Sequence, residues 1–359
     1  MPKTPPLTKG TLAGLAFLWA NTALLYGATV PDLLQRTLVP AVGGEIASKV
    51  SGTVPQPLPL LARLLGIAAL PPRAPIIDTV PASDRVSAQM SAEMVRALYR
   101  DLGYGLYDVI RDDQPVPRVF LASIPDDLSV LRDSAFRKSL FLRTLLPLIL
   151  RVNEEITADR ERVEVILQQK KTTGHFRAYE QHWLDGKVRE YGLAPGEYKA
   201  LLTRLDVVPP SLALAQAAEE SGWGTSRFAR TGNALFGQWT WNRSKGMTPQ
   251  DAAPGTSHAV KSFPSLLLAV KAYAHNLNTH RAYAPFRQER AAVRERGEAV
   301  RGYALANTLH RYSERGTAYV DTLHDLMRGN NLPALDDARL SSTPLEMASL
   351  EERPQPTKR

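Results

Sequence analysis

The stretch Ala217-Ala218-Glu219-Glu220-Ser221-Gly222-Trp223-Gly224 decides how this chain folds and where its chemistry sits. An apolar helix runs into two glutamates and stops at glycine. Pro209-Pro210 precede it, and proline suits a helix start because its missing N–H would be an orphan there. Ser211 is the expected N-cap. Leu214, Ala217, Ala218 and Ser221 recur at helical spacing, and the small alanines point to close packing on another helix. Gly222 and Gly224 are expected to end the helix, since glycine tolerates the left-handed closing position.

Glu220 therefore falls in the last turn, where the carbonyl end of the helix dipole repels a negative charge. That field and any burial favour the protonated carboxyl and raise its pKa. A carboxylic acid that keeps its proton near neutrality is what general-acid catalysis needs. Glu219 lies about 100° around the helix and faces elsewhere. A solvent-exposed acidic helix end is the alternative for the same stretch.

Downstream, Asn233 and Gln238 offer amide donors and acceptors, and Trp239 and Trp241 offer flat apolar faces. Sugar rings have polar edges and apolar faces, so amides beside tryptophans suit them. The alternative is a loop pinned to the core by Phe236.

The 359 residues include 27 prolines and 23 glycines and no cysteine. At most two folded units with irregular connections are expected. Absence of cysteine excludes disulfides, thiol nucleophiles and cysteine-type zinc sites. The formal charge of +8 is spread along the chain. Its densest group, Arg281, Arg287, Arg290, Arg294, Arg296 and Arg301, is interleaved with Glu289, Glu295 and Glu298 and reads as a solvated helix face. No nucleic-acid motif is recognisable, so no nucleic-acid partner is expected. His275 and His280 stand five apart, on different helix faces. With no metal-ligand cluster in the sequence, neither metal nor cofactor is expected.

Lys3 and Lys9 precede an apolar stretch at residues 12–26. Residues 1–29 are expected to be a secretory signal or membrane anchor, which makes the protein exported, in the periplasm or cell envelope, with inner-membrane anchoring as one form. Residues 30–83 read as a proline-rich tether, 84–170 as a helical extension, 171–332 as the domain carrying the glutamates, and 333–359 as a disordered polar tail. Helices are expected at 87–100, 101–113, 134–167, 176–191 and 197–205, then at 266–279, 288–292, 299–310 and 318–328. Pro147 should kink or split the third of these. Asn153-Glu154-Glu155 read as helix surface, and residues 236–263 as a loop or small hairpin.

The segment "LALAQAAEESGWGTSRFARTGNALFGQW" at 212–239 resembles the core signature of the bacterial glucosaminidases of glycoside hydrolase family 73. Four further segments bring it nearest to the Bax branch: "VPRVFLASIPDDL", "FLRTLLPLILRVNEEI", "KSFPSLLLAVKAYAHNLNTHRAY" and "YSERGTAYVDTLHDLMRGNNL". Together they cover roughly residues 115–332. The resemblance implies a mainly α-helical, lysozyme-like domain with a small loop or hairpin lobe, acting on the glycan strands of peptidoglycan. It maps the catalytic acid onto Glu220 and the groove segment onto Leu235, Phe236 and Gly237. A site aromatic maps onto Tyr273. Ser221, Trp223, Asn233, Gln238, Trp239 and Trp241 complete the candidate substrate groove.

The chain also departs from the family. Relatives often carry a second acidic residue in the lobe, whereas Asp251 is the one carboxylate between residues 221 and 288. A Phe-Arg-x-Tyr pattern is replaced by Val260-Lys261-Ser262-Phe263, which removes a tyrosine hydroxyl. Glu314 is a distant candidate partner, with a salt bridge to Arg315 or Arg311 as its bland alternative. The expectation is an endo-β-N-acetylglucosaminidase-like hydrolase with Glu220 as general acid. The substrate's 2-acetamido group, or a water positioned by Asp251 or a tyrosine, would complete the reaction. A lytic transglycosylase product also needs only one acid. The alternative from another class is a non-catalytic peptidoglycan-binding or scaffolding protein.

Overall fold

Local capping and distant polar contacts together set where the helices begin. The structure, a computed structural model, describes residues 85–86, 90–242, 244, 246–248 and 259–342, all within one compact unit, Asp78–Arg359. The expected signal or anchor at 12–26, the tether at 30–83, Asp251 and most of the tail lie outside the described residues.

Strand β1 (Arg85–Val86) is followed by helices α1 (Ala92–Asp101) and α2 (Leu106–Arg111), and β2 (Phe120–Leu121) pairs with β1 in parallel. Ser91 starts α1 by accepting from the Met94 N–H at 3.3 Å, an ordinary N-cap. Helix α3 (Ser134–Thr173) then runs for 40 residues, capped at its start by Asp133. Pro147 lies inside it and does not end it, contrary to expectation. Proline leaves the carbonyl four residues back without its helical donor. Here the Tyr104 hydroxyl donates to that Arg143 carbonyl at 3.2 Å, so the loop between α1 and α2 supplies the missing bond.

Helices α4 (Ala178–Glu190), α5 (Tyr198–Arg204), α6 (Pro210–Ser221) and α7 (Arg227–Gly232) follow. Then come three short strands, β3 (Trp239–Thr240), β4 (Gly246–Met247) and β5 (Ala259–Lys261). They form an antiparallel sheet in the order β3-β5-β4, with Trp239 opposite Val260. The small lobe is thus a three-stranded sheet. Helices α8 (Leu266–Thr279), α9 (Ala284–Glu295), α10 (Gly302–Leu305) and α11 (Thr317–Gly329) complete the order, with a 3-10 turn at Ala306–Thr308 where one longer helix was expected. The architecture is mainly helical, as a lysozyme-like domain requires. Among the described residues no helix is long and apolar enough to cross a membrane.

Helix α6 is the buried axis of the fold. Every residue from Pro210 to Ala218 is buried, and α3, α10 and α11 pack around it. The core is one cluster that runs from Ala92 to Leu340, so the boundary expected at residue 170 falls inside α3 and separates no cores.

Three expectations are corrected here. Ser211 is not the N-cap of α6; Pro209 takes that position. The orphan N–H of Ser211 instead donates to Asp336 Oδ1 at 2.9 Å, and the Gly302 N–H to Oδ2 at 2.9 Å. Asp336 belongs to the segment expected to be disordered. A 3-10 turn at Leu332–Leu335 and the burial of Leu335 and Leu340 hold residues 333–342 in place. Thirdly, Arg287 and Arg290 are 5% and 0% exposed, not on a solvated face. Arg290 donates to the carbonyls of Thr203, Arg204, Asp206 and Val207 and to Asn278. Those carbonyls at and beyond the end of α5 lack helical partners, and a buried guanidinium with five donors serves several at once.

Candidate active site

The end of α6 presents Glu220. Gly222 takes the left-handed conformation at φ 58° and closes the helix. Ser221 is buried; its hydroxyl bonds the Ala217 carbonyl and accepts from the Gly224 N–H at 2.8 Å. It therefore builds the turn and does not line the groove. Trp223 packs edge-on against Phe141 of α3, with Lys138 over its ring. It fastens the turn to α3 and stays partly exposed.

Glu220 is largely buried, and its carboxyl pKa is raised to about 7. Burial is the main cause, since a charged carboxylate loses hydration there. The hydrogen bond from Tyr319 pulls the other way, the charge of Glu219 raises it, and Arg315 lowers it. Arg315 forms an ion pair with Glu219 at 2.7 Å, so that guanidinium is engaged by the neighbouring acid. This also replaces the expected bridge between Glu314 and Arg315. Glu314 is exposed.

A chain of hydrogen bonds fixes one oxygen of Glu220. Tyr319 of α11 donates to Oε1 at 2.9 Å. Gln216, one turn earlier on α6, donates to the Tyr319 hydroxyl at 3.0 Å and accepts from Tyr273 of α8 at 2.7 Å. Tyr273, Gln216 and Tyr319 are all buried. With Oε1 accepting, Oε2 is the oxygen available to carry the proton. It faces Gly237: a Cβ built there would lie 3.2 Å from Oε2, and Gly237 has φ 59°. Only glycine meets both conditions without strain or crowding.

The groove segment is thereby anchored beside Glu220. Phe236 stacks on Tyr273 with ring centroids 3.9 Å apart, and its carbonyl accepts from Tyr312 at 3.3 Å. Leu235 is fully buried. Asn233 takes a left-handed conformation at the end of α7 and donates to the Phe263 carbonyl at 3.1 Å. Gln238 donates to the Ala272 carbonyl at 3.1 Å, and its backbone carbonyl accepts from Lys261. The two amides thus tie the segment to the Phe263 carbonyl just past β5 and to α8. The side-chain oxygens of Asn233 and Gln238 are buried and make no hydrogen bond among the described residues. Trp239 and Trp241 are 39% and 54% exposed on the small lobe, the geometry a stacking platform needs.

Of the sequence candidates, the structure brings Glu220, Phe236, Gly237 and Tyr273 together. It buries Ser221 in the turn, packs the partly exposed Trp223 against α3, leaves Glu314 at the surface, and does not describe Asp251. Tyr273 reaches Glu220 only through Gln216 and Tyr319. Sequence reading missed Gln216, Tyr312, Tyr319 and Tyr283, the last packed 5.5 Å from Tyr312. Gln216 had a signal, because residues four apart share a helix face. Tyr319 had only its place in a family-like segment. The rings of Tyr312 and Tyr319 lie parallel, 5.6 Å apart.

The family model described as "Glucosaminidase: Mannosyl-glycoprotein endo-beta-N-acetylglucosaminidase" matches residues 196–332. Protein bax of Escherichia coli (strain K12) is 35% identical over 215 residues, which are 58% of this chain and 75% of the relative. No solved structure matches the chain. On these matches the chain belongs to the glucosaminidase family, in its Bax branch.

Proposed function

We propose that the protein is a peptidoglycan glycosidase of the endo-β-N-acetylglucosaminidase type, with Glu220 as its general acid. One observation carries this: a carboxyl held up to about 7 by burial, with one oxygen engaged by Tyr319 and the other facing the groove segment at Gly237. Near neutral pH such a group is about half protonated and can still give its proton up.

Glu220 Oε2 gives its proton to the glycosidic oxygen as the C1–O bond breaks. The electron pair of that bond leaves with the oxygen, and positive charge develops at C1. The carbonyl oxygen of the sugar's own 2-acetamido group attacks C1, and water then opens the ring so formed, its proton returning to Glu220. Glu219 is paired with Arg315, which disfavours it as the nucleophile. Trp239 and Trp241 stack on sugar faces. The substrate lies in the cell envelope, and we place the protein there as an exported protein.

Incubating the full-length protein with purified peptidoglycan, and identifying soluble products by mass, tests the proposal. New reducing ends on N-acetylglucosamine are expected, and Glu220→Gln should lower their rate by about 10²–10⁴-fold. Anhydro-sugar ends would reassign the chemistry to a transglycosylase. The engagement of Glu219 by Arg315 favours one second reading, a wall-binding protein without turnover. Binding with no released product, equal in wild type and variant, would establish it.

A further inference from the structure

Outside the segment matched by the family model, α1, α2 and α3 enclose an open cleft of about 550 Å³. Arg143 of α3 lines it together with Arg96, Arg100 and Asp108. Arg96 and Arg100 are already paired with Glu93 and Asp101 of their own helix. Arg143 differs. Its guanidinium lies over the rings of Tyr99 and Tyr104, at 4.6 Å and 5.4 Å from their centroids. Its Nε is buried without a hydrogen-bond partner, and among the described residues no carboxylate pairs with it.

A half-buried guanidinium held by two aromatic faces is positioned and costly to leave uncompensated. Its remaining N–H groups form a planar fork that suits a carboxylate. Tyr99 and Tyr104 are themselves satisfied, donating to Thr144 and to the Arg143 carbonyl, so the rings stay where they are. The same cleft carries one carboxylate of the protein, on Asp108. That side chain makes no hydrogen bond among the described residues and sits beside Gly105 at the start of α2. Positive and negative groups in one cleft match a ligand bearing both a carboxylate and an ammonium.

We propose that this cleft binds the zwitterionic end of a short peptide, with Arg143 on its carboxylate and Asp108 on its ammonium. Its volume admits a peptide end of two or three residues. The stem peptides attached to a peptidoglycan strand carry such ends, so the cleft gives a glycan-cleaving enzyme a second hold on its polymer. This assignment rests on the function proposed above.

The test is calorimetric titration of the full-length Glu220→Gln protein with the free tripeptide L-alanyl-γ-D-glutamyl-meso-diaminopimelate, so that turnover plays no part. Binding is expected, with a tenfold or greater loss in Arg143→Gln and a several-fold loss in Asp108→Asn. Amidating the peptide's carboxylates should weaken it equally. Equal binding by Arg143→Gln, or acetate and inorganic phosphate binding as tightly as the peptide, would overturn the assignment. If Arg143→Gln melts early, Arg143→Lys keeps the charge and stem, and the amidated peptide reads the same contact. Peptide binding without glycan cleavage would remove the glycosidase proposal alone, and glycan cleavage without peptide binding would remove this one alone.

Discussion

Glu220 carries an acid's proton because burial outweighs the hydrogen bond from Tyr319. That balance has a sign. Its folded pKa, about 7, stands above the ordinary 4.5. The native protein therefore holds a proton that the unfolded chain releases. The stability this contributes is full below pH 4.5 and is lost as pH rises through 7. Glu220→Gln should gain stability relative to wild type as pH goes from 5 to 8, by up to about 3 kcal/mol. Thermal melts at the two pH values check this; a constant difference would refute it. Tyr319 is a positioning residue. Tyr319→Phe removes the bond that lowers the Glu220 pKa. The alkaline limb of the pH–rate profile should move to higher pH, with activity at the optimum reduced about tenfold or less. An unmoved limb would mean that Tyr319 only fills space. Glu220 was legible because helix length, glycine stop and dipole all act within one segment. Tyr319, 99 residues away, was not.

At the scale of elements, α6 is started from outside itself. Asn153 of α3 donates to the Val208 carbonyl and accepts from its N–H just before the helix. Asp336 then takes the Ser211 N–H. Proline at the cap supplies no side-chain acceptor, so distant residues supply it. Asp336→Ala should cost about 1–2 kcal/mol, and denaturant unfolding with an unchanged m-value would measure it. Truncation after Leu332 should cost more, since Leu335 and Leu340 are buried as well. An unchanged midpoint for that truncation would restore the disordered-tail reading of residues 333–342. Helix α3 teaches the same lesson. At Pro147, where the sequence predicts a kink or split, the freed carbonyl is bonded by Tyr104 from the loop between α1 and α2.

For the whole molecule, the family-matched segment 196–332 holds only part of the core, which extends from Ala92 to Leu340. Helices α3, α8 and α6 pack together, and α3 alone contributes buried residues from Leu140 to Ile166. A fragment of residues 196–332 exposes that apolar surface of α6 and α8. It should be insoluble or melt without cooperativity, whereas residues 85–342 should give one cooperative transition. A cooperative melt from the short fragment would show that α3 is dispensable. The arginines of α9 belong to this scale too. Arg290 joins α9 to the end of α5, and Asp206 gathers Arg290, Arg294 and Arg160. Charge interleaving looks the same whether a helix faces water or another chain end.

Local sequence pattern was enough for the helical class, most helix positions and the place of Glu220 at the closing turn of α6. Each of these depends on contacts within a turn or two of one helix, or on a stretch that matches a family in order. What surrounds Glu220 came from packing. The Tyr273–Gln216–Tyr319 chain, the approach of Gly237 and the remote cap at Asp336 join residues 17 to 125 apart. Hydrogen bonds between such residues exist only once packing has brought their elements together, and no local pattern encodes them.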